Sequence, residues 1–262
     1  MKRNAIAILF FLVSLMASSC SKVESLFTNG EPITEQRSLG HRFETIKIFN
    51  NVNVKLVHDN HPRLELTCPE NLIEKVTTEI DGDTLVIRNE NDFNWLRSFD
   101  YSIDLTVYYD SLRQIDFASI GDLFCADSIR GISELIIDST NDIIDTLWTR
   151  TFILNICEGC GEIDLTINSD VVKTVFGNGT SKTTLRGKAE YTEIFMWSYG
   201  VVYAENLNSN FVRVQSHSAN DAYVWARTKL TVWLYNMGNV YYKGNPRIVQ
   251  ECTSDGRVIK LE

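Results

Sequence analysis

The sequence predicts an all-β protein whose short strands stack as a solenoid. Small or polar turn residues recur about every 20 residues in the second half, and apolar residues alternate with polar ones around them. No segment keeps a helical period for more than two turns. The turn positions are spaced by 20, 20, 20, 19, 20 and 18 residues, at Gly121, Asn141, Gly161, Ser181, Gly200, Asn220 and Gly238. We therefore expect about seven coils of about 20 residues.

The residues on either side of these turns are expected to form the core. Successive side chains of a strand point to opposite faces, so positions six and four before a turn, and two and four after it, face one way. Examples of apolar residues at these positions are Ile115, Phe117, Leu135, Ile137, Ile194, Met196, Val202, Ala204, Val232 and Leu234. The third coil is out of phase, which predicts a bulge within 158–161. The fourth and sixth coils are weaker, with Gly177, Thr183 and Ser216 at core positions.

The front half reads as further strands. Alternating or β-branched runs at 43–49, 52–57, 63–68 and 101–109 predict four of them, and 71–76 predicts a short helix or turn. The Asp81-Gly82-Asp83 sequence predicts a hairpin between 77–80 and 84–88. We expect one domain over 41–262. Its parts are an N-terminal cap at 41–110, the coils at 111–243 and a C-terminal cap at 244–262, because open sheet ends need covering.

The first residues have the pattern of a bacterial lipoprotein signal. Lys2 and Arg3 precede an apolar run at 5–17, which is too short to cross a bilayer. The run ends in Ala17-Ser18-Ser19-Cys20, small residues before a thiol that can carry lipid. We expect 1–19 to be a signal peptide, Cys20 to be lipidated and 20–40 to be a tether. The alternative is an ordinary secretory signal followed by a chance cysteine.

The charge of the chain argues against nucleic-acid binding. Removal of Lys2 and Arg3 leaves 23 of the 25 basic residues against 34 acidic ones, a net charge of −11. The basic residues are scattered rather than clustered. Such a surface repels phosphate backbones, so we expect no nucleic-acid partner.

Five cysteines remain besides Cys20, so at least one is unpaired or pairs between chains. Cys157 and Cys160 form the only close pair, and a single CxxC without a nearby His is a weak zinc signal. Strand-like flanks on both sides favour a structural thiol pair or a local disulfide. We expect no metal and no cofactor.

Several motifs resemble the putative auto-transporter adhesin head GIN domain family. They are Phe43-x-x-Ile46-x-Ile48, Val52-x-Val54-x-Leu56, Glu70-Asn71-Leu72, Asp83-Thr84-Leu85-Val86-Ile87 and the segment 240–246. The resemblance runs from about Phe43 to the C-terminus. It implies a right-handed β-helical fold on exported proteins of Bacteroides-like bacteria, and it brings no catalytic residues. The chain departs from the family pattern in lacking small-Gly-small-Gly turns.

Aromatic residues concentrate at outward positions of the last coils. Phe176, His217 and Phe124 are also expected to point outward, and stacking of the coils would align such rings into two ladders. An exposed aromatic strip is typical of a binding surface, although such ladders can simply stabilise stacked strands. The candidate ligand-binding residues are Phe195, Trp197, Tyr203, Tyr223, Trp233, Tyr235 and Tyr241.

These patterns favour a non-catalytic lipoprotein of the outer membrane, acting as an adhesin or interaction scaffold for a protein or glycan. The alternatives are a carbohydrate-binding or carbohydrate-active β-helix and a periplasmic stress-signalling or structural partner. Acidic residues after the turns could bind Ca²⁺ or act as acid and base, but solvated turn residues explain them better. They are Asp122, Asp142, Glu162 and Asp221. The membrane face and the oligomeric state stay open, and no catalytic motif indicates an enzyme.

Overall fold

A computed structural model describes residues 29–92, 101–126, 129–139, 143–159 and 161–262. Strands make up 67% of the described residues and helix 2%, and the strands form a solenoid of about seven turns, which confirms the predicted fold class. The short helix α1 spans Glu70–Ile73. The strands are β1 (Pro32–Ser38), β2 (Thr45–Asn50), β3 (Asn53–His58), β4 (Arg63–Pro69), β5 (Val76–Asp81), β6 (Thr84–Asn89), β7 (Asp104–Tyr109), β8 (Gln114–Ser119), β9 (Leu123–Cys125), β10 (Ile129–Arg130), β11 (Glu134–Ser139), β12 (Ile143–Trp148), β13 (Thr151–Gly159), β14 (Glu162–Phe176), β15 (Lys182–Met196), β16 (Val201–Ser216), β17 (Ala222–Leu234), β18 (Val240–Lys243), β19 (Arg247–Cys252) and β20 (Val258–Lys260).

The solenoid consists of two parallel stacks of strands that face each other across the core. The long strands β14, β15 and β16 each contribute their first half to one stack and their second half to the other. We call the stack that contains β3, β9, β12, β18 and β20 the first sheet. The second sheet contains β2, β8, β11, β13 and β19. Each turn of chain thus adds one strand to each sheet.

Most of the predicted inward residues form the core. Ile194 lies beside Val214, which lies beside Val232, and all three side chains are fully buried. The parallel register repeats this column at every turn, so each buried side chain packs on its counterparts in the turns above and below. The 20-residue period is therefore a packing period: it keeps apolar residues in line between the sheets.

The third coil contains a bulge, as predicted, but it lies at Cys157, one residue before the predicted range 158–161. Along β11 and β13, Ile137 pairs with Ile156, but Asp138 pairs with Glu158. Cys157 is the extra residue, and it is exposed. The bulge absorbs one residue and returns Ile163 of the next strand to the core.

The front strands extend the solenoid, but not in sequence order. Strands β2 and β3 lie between the strands β6 and β7 on one side and β8 and β9 on the other. The predicted strands and the hairpin of β5 and β6 are present. The helix α1 contributes two buried residues, Leu72 and Ile73, at this end of the core.

Strand β1 lies inside the range expected to be a tether, so residues 32–38 correct that expectation. It pairs antiparallel with β4 along its whole length. Nearly all of its side chains are exposed, so it lacks the apolar alternation that marks a strand in the sequence. Backbone hydrogen bonds hold it in place. The predicted signal peptide and Cys20 lie outside the described residues.

Candidate functional site

Three rings stack on the outside of successive turns where the second sheet ends. We call Trp197, His217 and Tyr235 the turn stack. Their ring centroids are 4.0 Å apart between Trp197 and His217 and 4.4 Å apart between His217 and Tyr235, with planes 8° and 15° from parallel. Each ring follows directly on a buried strand residue, so the register of the coils places the rings one above another.

The upper face of the turn stack is open. Phe176 pairs with Met196 in the neighbouring turn, so the residue beside Trp197 is Gly177, which has no side chain to cover the indole. Trp197 is accordingly 55% exposed and Tyr235 is 41% exposed. The stack thus presents one aromatic face and three ring edges to solvent.

A second set of rings lies on the outer face of the first sheet. Tyr203, Tyr223 and Tyr241, here called the tyrosine stack, have centroids 5.0 and 4.9 Å apart and planes 14° and 10° from parallel. The three side chains are half-buried. Partial burial raises the pKa of the Tyr223 phenol, and the nearby Asp221 carboxylate adds to the effect, so this phenol stays neutral well above physiological pH.

Phe195 and Trp233 do not join either stack. They lie in one column of the second sheet, but Gln215 stands between them. Each ring instead lies under a cation: the Lys173 ammonium is 5.4 Å from the Phe195 centroid, and the Arg213 guanidinium is 4.7 Å from that of Trp233. Of the seven candidate residues, five therefore fall into stacks and two are separate.

Phe176 is a core residue, which corrects its predicted outward position. Its side chain is fully buried. The turn from Phe176 to Thr183 has one residue more than the turn from Met196 to Val202, although both pairs of residues occupy matching columns. Counting back from Ser181 therefore put Gly177 in the core and Phe176 outside. The extra turn residue reverses the two.

Two exposed side chains that the sequence did not single out lie on the same turns as the turn stack. Tyr199 is 67% exposed and Met237 is 62% exposed. Each stands directly before a turn glycine, Gly200 or Gly238, and this position in the sequence could have indicated that the side chain is exposed. Tyr199 and Met237 thus add exposed apolar surface to the turns that carry the turn stack.

The opposite edge of these coils carries a polar groove of about 520 Å³. Arg150, Lys188 and Arg227 line it together with Asp170 and Glu190. Neither aromatic stack reaches it. The groove thus has charged side chains of both signs, so it offers hydrogen bonds without a hydrophobic anchor.

The acidic residues after the turns do not form a cation site in the described part of the chain, where no three His, Cys, Asp or Glu residues cluster. Glu162 binds the Lys182 ammonium at 3.1 Å. Asp221 accepts hydrogen bonds from the Asn239 backbone and side-chain amides at 2.8 and 3.2 Å. Asp142 and Cys160 lie outside the described residues, so the pairing of Cys160 with Cys157 stays a prediction.

Residues 42–246 match the family described as putative auto-transporter adhesin, head GIN domain. The chain belongs to this family. The match covers the front strands and most of the coils, as the motifs in the sequence indicated. No curated protein is significantly similar to the chain.

Solved structures share the GIN-domain fold. A putative adhesin from Parabacteroides merdae ATCC 43184 is 15% identical with a TM-score of 0.73, covering 90% of this chain and 98% of that one. A putative lipid binding protein from Parabacteroides distasonis ATCC 8503 is 16% identical with a TM-score of 0.75, covering 89% and 98%. A putative adhesin from Bacteroides fragilis NCTC 9343 is 16% identical with a TM-score of 0.66, covering 89% and 99%. At these identities the likeness shows the fold alone.

The family and these structures are described as putative adhesins or as a putative lipid binding protein rather than as enzymes. In the part of the chain that the structure describes, no helix has the length and apolar character to cross a membrane.

Proposed function

We propose that the chain is a non-catalytic lipoprotein of the cell envelope that adheres to a protein or glycan partner through the turn stack. The observation that carries the proposal is the open face of Trp197 above two further stacked rings. Exposing a contiguous aromatic surface to water is unfavourable, and such a surface commonly marks a binding site. The description of the family as an adhesin supports a location at the cell envelope or outside the cell.

The rigidity of the turn stack suits it to binding. Backbone hydrogen bonds between turns fix the distance from one ring to the next. The amides of Trp197, His217 and Tyr235 donate to carbonyls of the preceding turns, with N–O distances of 2.9, 2.8 and 2.9 Å. A preorganised surface loses little conformational entropy when a partner binds. Aromatic faces and edges contact sugar rings and apolar protein side chains equally well.

The turn stack also lies far from the proposed lipid anchor. Lipid on Cys20 would join the solenoid through β1, and eight strand spacings separate β1 from β16 in the first sheet. At about 4.8 Å per spacing this is roughly 40 Å. The fold would therefore hold the turn stack away from the membrane surface.

Binding is tested by replacing the turn stack. The variant W197A/H217A/Y235A should lose at least tenfold in affinity for whatever the wild-type chain binds on a glycan array or among immobilised envelope proteins. Phe124→Ala is the matched control, because Phe124 is an exposed ring on an earlier turn. Glycan signals would support the carbohydrate-binding alternative, and protein signals alone the scaffold. Equal binding by both variants would contradict the proposed site.

The anchor has a separate test. Wild-type cells fed a labelled fatty acid should transfer the label to the protein, and Cys20→Ser should abolish labelling and release the protein from the membrane fraction. Protease treatment of intact cells would then report which side of the outer membrane the solenoid faces. Labelling that survives Cys20→Ser would refute lipidation at this residue.

A further inference from the structure

The two ends of the solenoid are protected differently. At the N-terminal end, α1 packs Leu72 and Ile73 into the core, and Arg37 of β1 donates hydrogen bonds to the carbonyls of Ile73 and Val76 at 3.2 and 2.5 Å. These bonds link the edge of the first sheet to that of the second. At the C-terminal end, every side chain of β19 is exposed, including Ile248 and Val249.

Strand β19 offers a bare edge. Within the described residues it pairs with β17 and with no further strand. The Thr253 amide donates to the Leu234 carbonyl of β17 at 2.9 Å. Alternate residues of a strand direct their amides to the same edge, so the amides of Ile248 and Gln250 face away from β17. A long edge of this kind is a template for another strand.

The sequence of β19 is complementary to itself. If two copies pair antiparallel about Val249, Arg247 of each lies opposite Glu251 of the other, and Ile248 lies opposite Gln250. Because the amides of Ile248 and Gln250 point away from β17, Ile248 of one copy and Gln250 of the other form a hydrogen-bonded pair. Arg247 and Glu251 then form a non-hydrogen-bonded pair, the kind whose side chains approach more closely. In the described part of the single chain, neither Arg247 nor Glu251 forms an ion pair.

We infer that the chain forms a two-fold symmetric, end-to-end homodimer in which β19 pairs antiparallel with β19 of a second copy. The occupant of this edge is a second copy because both the hydrogen-bonding register and the charges match under the two-fold axis. An isologous contact of this kind closes on itself and leads to a dimer rather than a fibre. The dimer would place two turn stacks on one rigid body, which raises the avidity for a multivalent partner.

Charge reversal tests the dimer without disturbing the fold, since both side chains are exposed. The chain from Ser21 to Glu262 should sediment as a dimer at micromolar concentrations. Arg247→Glu places Glu opposite Glu twice, and Glu251→Arg places Arg opposite Arg twice, so each should weaken dimerisation by roughly tenfold or more. The double variant R247E/E251R restores both pairs and should dimerise like the wild type. An equal mixture of the two single variants should form heterodimers.

A general folding defect cannot produce this pattern of loss and rescue. A wild-type chain that is monomeric at 100 µM overturns the inference, and so does a single charge reversal that leaves the dimer unchanged. Loss of dimerisation in the double variant would also contradict the Val249-centred register. Glycan or protein binding by the turn stack is measured separately, so failure of the dimer leaves the proposed function standing.

Discussion

At the scale of single residues, the position of a ring relative to the turn decides whether it packs or is displayed. Phe176 and Trp197 occupy neighbouring positions of successive turns, yet Phe176 is fully buried and Trp197 is largely exposed. Phe176 lies beside the buried Met196, and Trp197 is the next residue along, whose side chain points to the opposite face. The additional residue in the turn after Phe176 hides this relation when positions are counted from the turns. The two rings therefore have different effects on stability, although both stand at positions that the turn spacing predicts to face outward.

Phe176→Ala should lower the free energy of unfolding by about 3–5 kcal/mol, because it leaves a cavity between the sheets. Trp197→Ala should lower it by only about 1 kcal/mol, since it removes one exposed stacking contact. Urea unfolding followed by far-ultraviolet circular dichroism measures both. Similar losses for the two variants would contradict the burial of Phe176.

The thiols provide a second residue-scale prediction. Burial raises the pKa of the Cys68 thiol to about 11, so the native protein should resist alkylation of Cys68 at pH 8 while the exposed Cys252 reacts. Because the folded pKa lies above the unfolded value, Cys68 supports stability fully below about pH 8.5. That support is lost as the pH rises through about 11. Mass spectrometry of alkylated peptides checks the reactivity, and Cys68→Ala, which should flatten the loss of stability over this pH window, is the control. Rapid native labelling of Cys68 would refute its burial.

At the scale of the elements, close approach between turns restricts which residues a strand can hold. Gly187 lies within β15 beside Ile167 of β14, with a φ of +109°. A Cβ at this position would overlap the Ile167 carbonyl oxygen. Glycine thus lets the long strand bend between the two sheets without losing its register.

Gly187→Ala should cost about 2–4 kcal/mol, from the strained backbone and the overlap with Ile167. Gly40→Ala is the matched control, because a Cβ at Gly40 meets no atom within 4 Å, and it should change stability by less than about 0.5 kcal/mol. Thermal unfolding of both variants distinguishes them. A neutral Gly187→Ala would show that the backbone of neighbouring turns can move apart at little cost.

At the scale of the whole molecule, the front half is part of the solenoid and not a separate cap. Strands β2 and β3 separate β6 and β7 from β8 and β9. Ile115, Phe117 and Leu123 of the following turn are almost fully buried against this insertion. The chain must therefore bring distant segments together before the first coil is complete, which favours slow folding.

A chain shortened to 110–262 should expose the apolar residues of β8 and β9 and aggregate or bind a hydrophobic dye. The chain 29–262 should stay dispersed, because it retains every described strand. Size-exclusion chromatography and dye fluorescence compare the two. A dispersed, dye-negative 110–262 fragment would mean that the later coils fold without the inserted turn.

The sequence alone determined the fold class, the period of the coils, the bulge near Cys157 and the outward placement of most rings. These features follow from local rules: a strand alternates its faces, and a fixed period aligns equivalent residues of successive turns. The family resemblance rested on the same repeating residues. All of this can be read by counting along the chain.

Only the tertiary structure decided the order of the front strands, the pairing of β1 with β4, the burial of Phe176 and the separation of Phe195 from Trp233. Parallel pairing joins residues far apart in the chain, and local sequence does not specify which distant strand supplies the partner. One residue more in a turn exchanges the buried and exposed sets. An edge strand such as β1 is held by backbone hydrogen bonds, which leave no pattern in the side chains.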